Sequence, residues 1–134
     1  IYVDSSGNVG IGTTSPAYKL DVAGSFRFNG SFNGKVVAIA ADDPATPRSY
    51  NLSDSDFALI CFTPYNNINV YLPSASGRMG RIYAIKNVGD FATNIYAQTG
   101  ESVDGSSSYT LSVNYRSVIL ISDGYNWYII SDKT

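Results

Sequence analysis

The stretch Ser117-Val-Ile-Leu-Ile-Ser-Asp-Gly-Tyr-Asn-Trp-Tyr-Ile-Ile-Ser131 decides the fold. Asp123-Gly124 separates two hydrophobic runs, and Asp-Gly readily takes the positive φ angles of a tight hairpin turn. Two antiparallel strands joined through residues 123–126 are therefore predicted. Both runs, Val118-Ile-Leu-Ile121 and Trp127-Tyr-Ile-Ile130, barely alternate between apolar and polar residues. A strand with one solvated face alternates, so these strands call for cover on both sides. A lone domain of the size of 50–134 can double-bury little more than a central strand; contacts between copies of the chain would cover the rest, and a sandwich core would also account for part of it.

Working back from this hairpin, residues 50–134 read as short strands separated by turns, the spacing of an antiparallel sandwich or barrel-like head domain. Residues 57–62 and 68–72 flank Pro64-Tyr-Asn-Asn67, which reads as a second hairpin. Strands are expected at 81–87, 93–98 and 109–113, with a turn at Gly89-Asp90 and loops at 74–80 and 99–108. Upstream, Asp42-Asp-Pro-Ala-Thr-Pro-Arg48 carries two prolines that cannot donate to a ladder, so 35–49 reads as a linker or surface crossing.

Residues 1–34 differ in texture. Turn residues alternate with single apolar ones through Asp4–Gly24, and the segment lacks the apolar mass for a core of its own. Val9 with Ile11, and Leu20 with Val22, have the period-two spacing of strands. Phe26, Phe28 and Phe32 share one parity and are expected on one side. Such a segment folds against something that covers it, and sister copies are the nearest candidates. Val9, Ile11, Phe26 and Phe28 are the residues expected to pack between copies.

Composition supports an all-β chain: one glutamate and four lysines stand against eleven tyrosines and six phenylalanines. Net charge is -2 with no basic run, which argues against nucleic-acid binding. The longest apolar runs are too short to cross a bilayer as a helix. The single cysteine, Cys61, cannot form an intrachain disulfide and reads as a buried thiol. A first residue of Ile rather than Met is expected of a fragment or processed product.

Two groups of motifs resemble a known family. Gly7-Asn-Val-Gly-Ile-Gly-Thr-Thr-Ser-Pro16 with Lys19-Leu-Asp-Val-Ala-Gly24 resembles the shaft segment of bacteriophage tail fibres and tailspikes. Leu72-Pro-Ser-Ala-Ser-Gly77, Arg81-Ile-Tyr-Ala-Ile-Lys-Asn87, Val103-Asp-Gly105 and Ser122–Ile130 are similar to a β-rich module of virion surface proteins. The resemblance implies a homotrimer at the virion surface, with 1–34 as shaft, 35–49 as linker and 50–134 as distal head. It also implies other fibre or baseplate proteins as neighbours. Within the shaft motif, Lys19 and Asp21 are expected to pair on an exposed edge.

Catalytic machinery is hard to assemble from this chain. The absence of histidine excludes Ser-His-Asp and Cys-His arrangements and His-containing metal sites. Gly7-Asn-Val-Gly-Ile-Gly12 lacks the helix a phosphate loop requires. The carboxylate pairs Glu101/Asp104 and Asp54/Asp56 sit in Ser/Gly-rich turns with nothing apolar to raise one pKa. Asp42/Asp43 and Asp54/Asp56 fall short of a full calcium loop. No enzyme activity, metal or cofactor is expected.

Carbohydrate recognition asks only for aromatic faces beside amides and hydroxyls. Tyr65-Asn66-Asn67 and Tyr125-Asn126 have that composition at turn tips, and Arg78, with Arg81 nearby, could hold an acidic sugar or phosphate. The expected function is attachment to a host-surface polysaccharide or protein receptor through loops of a homotrimer, without membrane insertion. The alternatives are a purely structural fibre or spacer, and a glycan depolymerase with its carboxylates brought together between subunits. A bacterial surface adhesin would also fit.

Overall fold

The computed structural model describes residues 1–133. Among them there is no helix, and the strands form three sheets. The chain divides into two compact units, 1–33 and 34–134.

In the first unit, β1 (Tyr2–Val3) pairs antiparallel with β2 (Val9–Ile11), which pairs parallel with β3 (Leu20–Val22). The Asp4 carboxylate builds the β1–β2 turn by accepting from the backbone N–H of Ser6 and of Asn8, each at 2.8 Å. Lys19 and Asp21 do not pair: Lys19 donates to the Ser6 carbonyl, and Asp21 accepts from the Ala17 N–H. Both partners are backbone groups, so each side chain ties down a turn rather than an edge. Gly10 is the one buried residue of this unit, and no apolar side chain is buried.

The second unit holds β4 (Val36–Ala40), β5 (Arg48–Asn51), β6 (Ala58–Thr63), β7 (Ile68–Tyr71), β8 (Ile82–Gly89), β9 (Thr93–Tyr96), β10 (Ser108–Leu111), β11 (Ser117–Ser122) and β12 (Trp127–Lys133). From β4 to β9 the chain alternates between two sheets. Strands β4, β6 and β8 stack in parallel in one, and β5, β7 and β9 in the other. The result is a solenoid-like coil of three rungs, each contributing one strand per sheet. Antiparallel partners end the stack: β10 on β9, and the β11–β12 hairpin on β8. The sheet orders are β12-β11-β8-β6-β4 and β10-β9-β7-β5.

This corrects the antiparallel expectation in part. The Asp123-Gly124 hairpin forms as read. Pro64–Asn67, however, is a corner carrying the chain from one sheet to the other, so β6 and β7 do not pair. Residues 35–49 supply β4 and the start of β5, each with a full parallel ladder. The prolines Pro44 and Pro47 fall in the corner between these strands, where no ladder donor is required.

One core fills the space between the two sheets. Leu59, Cys61, Tyr83, Ile85, Val118 and Leu120 come from the five-stranded sheet, and Ile68, Val70, Ile95 and Leu111 from the four-stranded one. Trp127 is fully buried, packs 5.3 Å from the Tyr83 ring and donates from Nε1 to the Pro73 carbonyl.

Candidate functional site

The loop candidates fall at two opposite ends of the second unit. Tyr65, Asn66 and Asn67 occupy the corner after β6. Arg78, Tyr125 and Asn126 lie at the other end, where the 72–81 loop meets the β11–β12 turn and Gly80 N–H donates to the Ser122 carbonyl. They do not converge on one site.

Most of their polar groups are engaged within the chain. Asn66 Nδ2 donates to the Pro44 carbonyl, and Asn67 Oδ1 accepts from the Ala92 N–H, so this corner ties together the corners of all three rungs. Asn126 Oδ1 accepts from the Ser102 N–H and hydroxyl. Arg78 makes a two-pronged pair with Asp54, Nε to Oδ1 at 2.7 Å and Nη2 to Oδ2 at 3.0 Å, and Nη1 donates to the Ser74 carbonyl. That guanidinium holds the Asp54 carboxyl below its ordinary value. Arg81 reaches the same residue at 3.6 Å. Tyr65 and Tyr125 keep their rings in solvent, 58% and 77% exposed.

The paired carboxylates are likewise held. Glu101 accepts from the Ser74 hydroxyl at 2.6 Å and from the Ala75 N–H, which fixes the 74–77 loop. Asp104 accepts from the Ile129 N–H. Asp56 is buried and accepts from the Ser53 N–H and hydroxyl and the Tyr50 hydroxyl, while Lys35 Nζ lies 2.9 Å from its other oxygen. No cluster of metal-ligating side chains occurs among the described residues.

The residues expected to pack between copies are available. Ile11, Phe26 and Phe28 are exposed, and Val9 is half-buried. The Phe26 and Phe28 rings meet edge to face at 4.9 Å, and Phe32 joins them 6.1 Å from Phe28, so the shared parity does place them together.

The two outer faces of the second unit differ sharply. On the five-stranded sheet, Val36, Ala58, Ala84 and Ile119 form one outward row across four strands. Ile82, Ile121 and Tyr128 form another, and Ile60 and Phe62 extend the apolar surface along β6. Its charges, Lys86 and Lys133, lie in a single row. On the four-stranded sheet, the outward rows are Ser49–Asn69–Asn94–Thr110 and Asn51–Tyr71–Tyr96–Ser108. The polar row is linked, Thr110 hydroxyl to Asn94 Oδ1 and Asn94 Nδ2 to Asn69 Oδ1, each at 3.1 Å. Tyr71 and Tyr96 stack with ring centroids 5.3 Å apart and planes 22° apart.

Asn69, Tyr71, Asn94 and Tyr96 are absent from the sequence-derived candidates. Their signal is the identical offset of 25 positions between the Asn pair and the Tyr pair (94 − 69 and 96 − 71). That offset marks successive rungs of a coil rather than neighbouring strands of a hairpin.

Comparison with protein-family models and with curated proteins finds no match.

Proposed function

We propose that this chain is a subunit of a homotrimeric bacteriophage fibre that attaches the virion to its host surface. Residues 1–33 form part of the shaft, and the second unit forms the distal head. The observation that carries this reading is the apolar outer face of the five-stranded sheet. A polar solvent-facing surface is the norm on one side of such a sheet, whereas here rows of Val, Ala, Ile, Phe and Tyr side chains face outward. Packing these faces about a common axis removes them from water and leaves the polar four-stranded sheets outside. The first unit supports the same arrangement, because Ile11, Phe26 and Phe28 are exposed apolar side chains. The shaft-like motifs Gly7–Pro16 and Lys19–Gly24 add the resemblance to tail fibres.

The direct functional test is binding of the fluorescently labelled chain to intact bacterial cells across a strain panel. Saturable binding to a subset of strains supports attachment, and failure to bind any strain that the parent particle infects contradicts it. A purely structural fibre is the second reading. It is favoured by the internal hydrogen bonds of Asn66, Asn67, Arg78 and Asn126, which leave Tyr65 and Tyr125 as the exposed tips.

A further inference from the structure

We infer that the outward face of the four-stranded sheet is a binding platform for a neutral polysaccharide, centred on Tyr71, Tyr96, Asn69 and Asn94. The inference rests on the attachment reading and gives it a site distinct from the turn tips.

Four features lead to it. First, the stacked Tyr71 and Tyr96 rings stand side by side on adjacent strands, at roughly the 4.8 Å inter-strand spacing. The residues flanking the pair in the same row, Asn51 and Ser108, are short, and Tyr71 is exposed with Tyr96 half-buried beside it. A sugar ring presents C–H groups on one side, and these pack against the electron-rich face of an aromatic ring.

Second, the row beside the tyrosines offers amides and hydroxyls with unspent capacity. Asn69 uses its carbonyl oxygen within the row, while its Nδ2 donates to no group of the described chain. Asn94 spends one of two amide protons, and Thr110 spends its hydroxyl proton but keeps its lone pairs. Sugar hydroxyls both donate and accept, and such a row matches them.

Third, the two rows contain no charged side chain, which selects neutral sugars over phosphate-bearing or uronic-acid polymers. Fourth, the groups sit on strands fixed by continuous parallel ladders, so little ordering is needed on binding. A strip of repeated side chains suits a repeating polymer. Three such faces per trimer raise avidity above the weak affinity of each.

The test is affinity electrophoresis of the full chain through gels containing a neutral polysaccharide (a glucan, a mannan or a galactan) or an acidic one (alginate). It is run beside the cell-binding assay. Retardation by a neutral polymer is expected, weakened about tenfold by Tyr71→Ala and by Asn94→Ala, and unchanged by Thr99→Ala at an exposed position off both faces. If either variant fails to fold, Tyr71→Thr (which removes the ring but keeps a strand-forming residue) and Asn94→Ser take its place. Shifts of the Asn69 and Asn94 side-chain amide resonances on adding oligosaccharides of the same polymer give a second reading. Retardation that survives Tyr71→Ala but is lost in Tyr65→Ala or Tyr125→Ala overturns the platform and keeps attachment through the tips. Binding to cells without retardation by any neutral polymer also overturns the platform and leaves the attachment reading intact. Failure in both assays overturns both.

Discussion

Asn87 Oδ1 accepts a hydrogen bond from the Thr93 hydroxyl at 2.7 Å, with both residues fully buried between the two sheets. Asn87 lies on β8 and Thr93 on β9, so the bond crosses from one layer to the other at the corner of the third rung. The same amide oxygen accepts from Thr63 of the rung below, and Nδ2 donates to the carbonyls of Phe91 and Val113. A single buried amide thus fixes the corner and the approach to β11, with every polar atom partnered.

Replacing Asn87 by Ala removes four buried hydrogen bonds and leaves the Thr93 hydroxyl without its acceptor, while the Thr63 hydroxyl keeps the Phe91 carbonyl and the Val113 carbonyl keeps the Arg116 N–H. Loss of about 3 kcal/mol of stability is expected. Urea unfolding followed by tryptophan fluorescence measures it, since Trp127 reports on the core. A loss below about 1 kcal/mol would show that water or rearranged neighbours take over these bonds.

Gly89 ends β8 with φ +145°, and a Cβ there would lie 2.6 Å from the Thr63 carbonyl oxygen. Backbone meets backbone, so no rotamer change relieves the contact. Gly89→Ala is expected to cost about 3 kcal/mol, and a thermal melt at the wild-type midpoint would contradict the corner geometry.

These corners mark the limit of what the sequence discloses. The β11–β12 hairpin is legible because Asp123-Gly124 specifies a turn through local backbone chemistry. The strand positions are legible too, because runs such as 57–62 and 117–122 carry their apolar character locally. Pairing is not local. Pro64-Tyr-Asn-Asn67 has the composition of a hairpin turn, yet it leads β7 into the opposite sheet, where its partners are β5 and β9. Strands of the five-stranded sheet also carry apolar residues on their outer face, and so lose the alternation that would have identified their inward sides. Asn66, Asn67 and Asn126 are turn residues by composition and by structure. Sequence cannot separate an amide that hydrogen-bonds a neighbouring corner from one that faces a ligand.

Burial pushes the Cys61 thiol up to about 12, against a small opposing effect of the Thr93 hydroxyl. Thiolate is the reactive form, so the native chain is expected to resist a disulfide reagent at pH 8. One thiol per chain reacts in guanidinium. Rapid labelling without denaturant would contradict the burial of β6.

Burial raises the Asp56 carboxyl, but Lys35, the Ser53 N–H and hydroxyl and the Tyr50 hydroxyl outweigh it, and the net shift is downward. A carboxyl lowered on folding stabilises the fold above its unfolded value, near pH 4, and loses that contribution as pH falls through the folded value. Asp56→Asn is therefore expected to cost about 2 kcal/mol at pH 7, with the gap to wild type narrowing below about pH 4. A gap that stays constant from pH 7 to pH 3 would contradict this role.

The apolar face of the five-stranded sheet makes the central claim measurable. Light scattering coupled to size exclusion at micromolar concentration should give three times the 14.4 kDa mass of the chain. Ile60→Lys and Ile119→Lys place charges on that outer face without touching the core, and should shift the mass toward one chain while the circular dichroism spectrum stays all-β. A wild-type mass of a single chain at that concentration would contradict the trimer and leave the apolar face without its proposed cover.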